Sequence, residues 1–284
     1  MTSTTQLTDT RDLCVERPIL RIGPDGRRTT TDWLLREERF ELYCNGNFAT
    51  TFNCLPSDLE ELAVGHIFCL GVFRHAAAVT SVGVALDERR IDVSLEKADL
   101  AHAAIRGGAA APADCGEFAE YDPHVDGSGF ANSAGSFPLC APVMDAGPEI
   151  ALTPAQIHAM QAEFETRCEL FRKTGASHSC ALAGEEGIVL FMEDAARHNC
   201  LDKIIGAMLL RGISPRGKAM IFSGRLAADM LEKVSAIGVK LLIAPGAPSL
   251  AAVDIAGDRD ITLLGFVRKG NINVYTGEKR ILFL

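Results

Sequence analysis

The sequence predicts an α/β fold, α+β overall, with a β-rich leading segment and a longer region of alternating strands and helices. Three observations predict it. From Ser179 to Tyr275, short apolar runs alternate with amphipathic helical patterns, which implies a largely parallel sheet covered by helices. Earlier in the chain, alternating apolar and polar runs flank Asn45-Gly46, the strongest short-range hairpin signal. Between these regions, 101–147 is rich in Ala, Gly, Pro, Ser and Asp and lacks periodicity, a natural divider. The expected organisation is a β-rich unit with one helix over 15–100, a loop over 101–150 and an α/β unit over 151–284.

Taken in order, residues 1–14 read as a polar tail, and 15–22 as a first strand whose Pro18 suits an edge. Phe40, Leu42 and Cys44 alternate with polar neighbours, so 39–44 and 47–53 form the hairpin arms. Ser57-Asp58-Leu59-Glu60 has the pattern of a capping box, with Ser57 as N-cap, a helix to about Leu70 and Gly71 as its stop. His66 falls near that helix's apolar face and reads as structural. A strand pair follows over 79–86 and 90–95. Thr153-Pro154-Ala155-Gln156 starts a second helix, capped by Thr153. Ile157, Met160, Phe164, Cys168 and Phe171 carry it on, and Gly175 ends it. Strands are then expected at 180–183, 188–192, 218–222, 239–244, 261–266 and 271–275. Helices are expected at 197–211, 226–237 and 249–256, with Gly238 closing the second of these.

A chain of 284 residues, 48% hydrophobic and 23% charged, buries a sizeable core and is not disordered. The net charge of −9 argues against a nonspecific nucleic-acid binder. The first ten residues lack the basic and apolar regions of a signal peptide, and no apolar run approaches a membrane span. A soluble cytoplasmic protein is expected, with no membrane partner. Nine cysteines, an odd number with no C-x-x-C, suggest a reducing compartment and mostly buried thiols.

The densest polar stretch is 193–206, E-D-A-A-R-H-N-C-L-D-K-I-I-G, at a strand-to-helix turn. Strand ends beside helix N-termini are where α/β proteins hold anions, although such turns are often simply solvated. Arg197, His198 and Asn199 lie there. Thr174, Gly175 and His178 sit at a similar element end. Ser223-Gly224-Arg225 lies between a strand and a helix, where glycine permits close approach and Arg makes bidentate phosphate contacts. Phe266, Val267, Arg268, Lys269, Gly270 and Asn271 add two cations and a glycine between strands. Cys115, in A-D-C-G-E, is either an incidental loop cysteine or a reactive thiol: a nucleophilic cysteine needs a thiolate and access to its partner, and a long loop supplies the second. Two H-x-C pairs, His178/Cys180 and His198/Cys200, raise a zinc site and with it a zinc hydrolase. Their spacing is not that of known structural sites, and both cysteines read as small core residues. No metal site is expected.

Several of these segments resemble, in order, the motifs of the formate dehydrogenase accessory sulfurtransferases, the FdhD family. They are Glu16-Arg17-Pro18, the run 55–73 (L-P-S-D-L-E-E-L-A-V-G-H-I-F-C-L-G-V-F), T-G-A-S-H-S-C-A-L at 174–182, the 193–206 signature, Ser223-Gly224-Arg225 and G-F-V-R-K-G-N-I-N-V-Y-T at 265–276. The resemblance spans about Glu16 to Ile281 and is poor near 100–150. It implies a cytidine-deaminase-like three-layer α/β/α domain after a smaller β-rich subdomain, although the zinc-deaminase signature H-x-E with P-C-x-x-C is absent. It implies a sulfurtransferase that takes persulfide sulfur from a cysteine desulfurase and passes it to a molybdenum bis(molybdopterin guanine dinucleotide) cofactor for formate dehydrogenase. It also implies a homodimer. GDP would mimic the cofactor, with Arg268 and Lys269 at its pyrophosphate and Phe266 against its base. Thr174, Gly175, His178, Arg197, His198 and Asn199 would shape the same pocket. The family carries its sulfur on a C-G-x-C-G segment. Here Cys115-Gly116 matches its first half and the second Cys is absent, while Cys140 is the other loop cysteine. A chaperone that holds the cofactor without transferring sulfur is the alternative.

Overall fold

The computed structural model describes residues 12–96 and 150–283. It opens with a ribbon, β1 (Cys14–Gly23) paired antiparallel with β2 (Gly26–Leu35). The sequence reading has no counterpart for β2: its run of Arg and Thr carries no apolar alternation, the signal on which strand assignment rests. The hairpin β3 (Glu38–Cys44) and β4 (Asn47–Cys54) turns at Asn45 and Gly46, both at positive φ (49° and 81°), as a type I′ turn requires. With β5 (Val79–Ala85) and β6 (Arg90–Leu95) it forms a four-stranded sheet ordered β4-β3-β6-β5.

Helix α1 (Leu59–Cys69) starts differently from expectation. Its N-cap is Asp58 in a left-handed conformation, with no side-chain cap bond. Ser57 is buried and its Oγ accepts from Lys203 Nζ at 3.5 Å, so the hydroxyl is turned toward a charge and away from the helix start. Helix α2 (Pro154–Arg167) does have the expected capping box, Thr153 and Gln156 bonding reciprocally. The helix does not continue to Phe171. It breaks at Cys168 (ψ 64°), and a short α3 (Glu169–Thr174) follows. The break lets the first free amides of α3, at Leu170 and Phe171, donate to the Glu193 carboxylate, and leaves Phe171 exposed.

The second sheet contains β7 (His178–Gly184), β8 (Gly187–Asp194), β9 (Ala219–Phe222), β10 (Leu241–Ile243), β11 (Thr262–Arg268) and β12 (Asn271–Thr276). Its order is β12-β11-β10-β9-β7-β8. Only β9–β10 and β10–β11 are parallel; β7 runs antiparallel to both β8 and β9, and β12 antiparallel to β11. The expected largely parallel sheet is therefore a mixed one. The tight turn at 185–186 forces β7 and β8 to be antiparallel, and the helix-bearing connections after β8, β9 and β10 are crossovers, the first of them passing over β7.

Helices α4 (Arg197–Arg211), α5 (Ala228–Ile237) and α6 (Leu250–Asp258) complete the fold. Alternate strand residues point to opposite faces. Cys180, Leu182, Met220, Phe222 and Leu242 join the core of α4–α6, whereas Ala181, Ala183, Ile221, Leu241 and Ile243 pack with Ile157, Met160 and Phe164 of α2. The first of these cores also contains α1 and the inner face of the four-stranded sheet. Helices α1 and α4 touch backbone to backbone. A Cβ on Gly65 would lie 1.9 Å from the Asp202 carbonyl oxygen, and one on Gly206 1.9 Å from that of Glu61.

Candidate functional site

Three loops meet at the carboxyl ends of the parallel strands. After β9 comes Ser223-Gly224-Arg225, after β10 Pro245-Gly246, and within β11 Gly265-Phe266. Their backbones stack closely enough to exclude side chains. A Cβ on Gly246 would meet the Gly224 carbonyl at 2.7 Å, and one on Gly265 would meet the Gly246 carbonyl at 2.9 Å. Phe266 N–H donates to Gly246 O at 3.2 Å. His178, at the start of antiparallel β7, reaches the same end, with its Nδ1 3.7 Å from the Cβ position of Gly224. Ser223 Oγ accepts from Ser179 N–H at 2.9 Å and ties the first loop to β7.

Helix α4 brings its first turn to this rim. Arg197 Nε is buried without a hydrogen-bond partner. A buried, unsatisfied guanidinium nitrogen is costly, and an anion would satisfy it. His178 titrates below its usual range, first because it is buried and then because Arg197 repels its positive form, with Asp194 opposing. His198 is also lowered, by burial above all, although its Nδ1 lies 3.0 Å from Asp229 Oδ2.

At the far end of β11, an open hollow of about 300 Å³ is lined by Phe266, Arg268, Lys269, Asn271 and Asn273. The register shifts between Gly265 and Arg268. Phe266 (φ 52°) and Lys269 (φ 50°) take left-handed backbone and Gly270 (φ 79°) completes the turn. For an aromatic residue such a φ is an outlier, and such strain concentrates at functional sites. The Arg268 guanidinium carbon sits 5.2 Å from the Phe266 ring centroid, leaving an aromatic face and two exposed cations together.

The other named residues are placed as follows. Arg225 is exposed at the rim, Val267 is fully buried in the core, and Asn271 Nδ2 donates to Lys269 O. Thr174 Oγ1 donates to Leu170 O, and Gly175 (φ 68°) is the left-handed C-cap of α3. Asn199 is buried, and its amide donates to Asp194 Oδ1 and Asn53 O, both at 2.9 Å. Cys115 and Cys140 lie outside the described residues.

Much of the 193–206 signature points inward. Asp194 and Lys203, both fully buried, form an ion pair at 2.7 Å. The Asp194 carboxylate also accepts from Leu55 N–H and Ala196 N–H. Buried Asp202 binds Lys233 at 2.6 Å and His66 Nδ1 at 3.2 Å. Glu193 accepts from Ser177 and Ser179 as well as from α3. These charges clamp α4, α1 and β8 together, and so fix where Arg197 and His198 stand. Sequence reasoning missed Gly246 and Asp229, and had Gly265 only as the first residue of the 265–276 motif. Pro245-Gly246 carries the same strand–glycine signal as Ser223-Gly224 and was findable; the Asp229 contact was not, since it joins two helices.

Among the described residues no group of three or more His, Cys, Asp or Glu is arranged to hold a metal ion. Cys180 and Cys200 are buried core residues, and Cys200 Sγ donates to His178 O at 3.1 Å. No helix among the described residues is long and apolar enough to cross a membrane.

Fold and site together define an α/β protein with a glycine-lined, positively charged rim at the carboxyl ends of its parallel strands. The family model of the FdhD/NarQ family matches residues 35–282, and the chain belongs to that family. It is 32% identical to the sulfur carrier protein FdhD of Shouchella clausii over 88% of this chain and 90% of that one. It is 31% identical to the sulfur carrier protein FdhD of Staphylococcus aureus, covering 96% and 98% respectively. A solved structure from Desulfotalea psychrophila, assigned provisionally as a formate dehydrogenase accessory protein, superposes with a TM-score of 0.74. It covers 95% of this chain and 100% of that one at 23% identity, a likeness of fold.

Proposed function

We propose that this chain is a persulfide sulfur carrier in the maturation of formate dehydrogenase, working in the cytoplasm as a homodimer. A cysteine desulfurase donates the sulfur, and a molybdenum bis(molybdopterin guanine dinucleotide) cofactor is the substrate that receives it. The α/β half is read as a cytidine-deaminase-like three-layer domain that holds this substrate. The closely stacked glycine rim, the unsatisfied Arg197 Nε and the Arg268/Lys269/Phe266 hollow suit the phosphates and base of a guanine nucleotide.

The observation that carries the reading concerns cysteines. Nine are present, and the seven in described residues are all buried. Burial pushes the thiols of Cys54, Cys69, Cys168, Cys180 and Cys200 up, away from the thiolate a nucleophile needs. A sulfur carrier in this chain is therefore Cys115 or Cys140, and Cys115-Gly116 matches the family pattern. The Cys115 thiolate attacks the outer sulfur of the donor persulfide. The donor S–S bond breaks, the donor cysteine leaves as a thiolate, and a new S–S bond forms on Cys115. Passing that sulfur on as a sulfide ligand consumes two electrons: two external thiols supply them and leave as a disulfide, the Cys115 S–S bond breaks, and Cys115 returns to a thiolate. Catalysis rests on thiolate reactivity and proximity.

Incubation with a desulfurase and cysteine, followed by intact-mass measurement, should show a gain of one sulfur atom that Cys115→Ala abolishes and Cys140→Ala keeps. A Cys115→Ala protein that still gains sulfur removes the assignment. The absent second cysteine of C-G-x-C-G favours a second reading, a chaperone that holds the cofactor without transferring sulfur. It predicts GDP binding with no mass gain in any variant.

A further inference from the structure

The ribbon of β1 and β2 stands apart from both sheets. Among the described residues neither strand pairs with any third strand. Thirteen of their twenty residues are exposed and only Cys14 is buried. Leu20 and Ile22, near the tip, are 58% and 77% exposed. Anchorage is confined to the base, where Trp33 and Leu35 pack on Leu13, Cys14, Leu55 and Leu170, and Lys173 Nζ lies 3.4 Å from the Trp33 ring centroid. A lone two-stranded ribbon is marginal in water, and its open edges are templates for another strand.

We propose that β2 pairs antiparallel with β2 of a second copy, about a two-fold axis at Thr30, to make a four-stranded sheet. This names the surface of the homodimer offered above and rests on that part of the reading. The support is self-complementarity. In this register Thr30 faces itself, Thr29 faces Thr31, Arg28 faces Asp32 and Arg27 faces Trp33. Arg28, Thr30 and Asp32 share one strand face, and a two-fold normal to the sheet keeps that face common to both copies. Threonine pairs, opposite charges and a cation beside an aromatic ring are all favourable cross-strand neighbours.

The pairing also answers a local charge conflict. Within one copy Arg28 lies directly opposite Arg21, while Asp32 lies opposite Arg17 and also accepts from Arg21 at 3.4 Å. Asp32 of a second copy would give Arg28 an acidic neighbour on its open side. Strand β1 is the poorer edge, because Pro18 has no N–H to donate. The ribbon precedes the 35–282 stretch that the family model matches, so the interface is argued from this chain's residues alone.

The test uses the full chain. Opposed residues of an antiparallel pair stand about 4.5–5.5 Å apart at Cα, within disulfide range. Oxidised Thr30→Cys should give a covalent dimer on a non-reducing gel, and wild type and Leu20→Cys should not. In sedimentation, Asp32→Arg should raise the dimer dissociation constant at least about tenfold, since two like-charge pairs replace two opposite-charge pairs. Adding Arg28→Asp should restore it. A wild type that stays monomeric overturns the dimer and this surface together. A dimer indifferent to Asp32→Arg that gives no Thr30→Cys cross-link overturns the surface alone, as does cross-linking only to a different protein. Sulfur loading, read by mass in the same variants, is a separate measurement.

Discussion

Gly206→Ala tests the helix crossing on which the site's placement depends. The added methyl would lie 1.9 Å from Glu61 O, 2.6 Å from Glu61 C and 2.8 Å from Glu61 Cα. All three are backbone atoms of α1, so no side chain can rotate away. Restoring ordinary contact at about 3.5 Å requires α1 and α4 to part by roughly 1.5 Å. That separation loosens the contacts of Leu62, Leu201 and Ile205, which are fully buried in the shared core. Overpacking typically costs about 1–3 kcal/mol, and a backbone clash belongs at or above the top of that range. Higher helix propensity of alanine returns about 1 kcal/mol. The net loss is about 2–4 kcal/mol, or a fall in Tm of roughly 4–12 °C. Thermal and urea unfolding followed by circular dichroism reads it. Gly83→Ala is the control, since a Cβ there meets nothing within 4 Å. A Gly206→Ala protein that melts within about 1 °C of wild type would refute the close crossing.

The buried Asp194–Lys203 pair predicts a non-additive response. Asp194→Leu or Lys203→Met alone should cost about 3–5 kcal/mol by leaving one buried charge uncompensated, while the double substitution should cost much less than their sum. Denaturant titration of the cycle decides it, and additive losses would mean that the pair is not coupled. Burial raises the Asp202 pKa, but Lys233 and His66 outweigh it and hold the carboxyl at about 2. A depressed carboxyl stabilises above its unfolded pKa of about 3.9 and loses that contribution as pH falls through the folded value. The advantage of wild type over Asp202→Asn, about 2–3 kcal/mol at neutral pH, should therefore shrink between about pH 4 and pH 2. A difference that does not change over that window would contradict the ion pair.

Local chemistry was legible in the sequence. The Asn45-Gly46 hairpin, the Thr153 capping box and the glycine end at Gly238 depend on a few adjacent residues and occur as read, while Gly175 is a glycine end of the separate α3 and not of the helix that Thr153 caps. So did the polar turn at 193–206, but not the direction of its side chains. A run of acids, Asn, Asp and Lys looks solvated until distant elements cover it, and here Asn53, Leu55, Ser57, His66 and Lys233 turn Asp194, Asn199, Asp202 and Lys203 into an internal clamp. Strand direction was likewise undetermined, because parallel and antiparallel neighbours bury the same alternating residues. β2 was hidden because an exposed ribbon needs no apolar alternation. Elements set by neighbours in the chain were thus written in the sequence itself. The mixed sheet, the α1–α4 crossing and the stacked rim at Gly224, Gly246 and Gly265 were decided in three dimensions, where groups far apart in sequence meet and compete for the same space and charge.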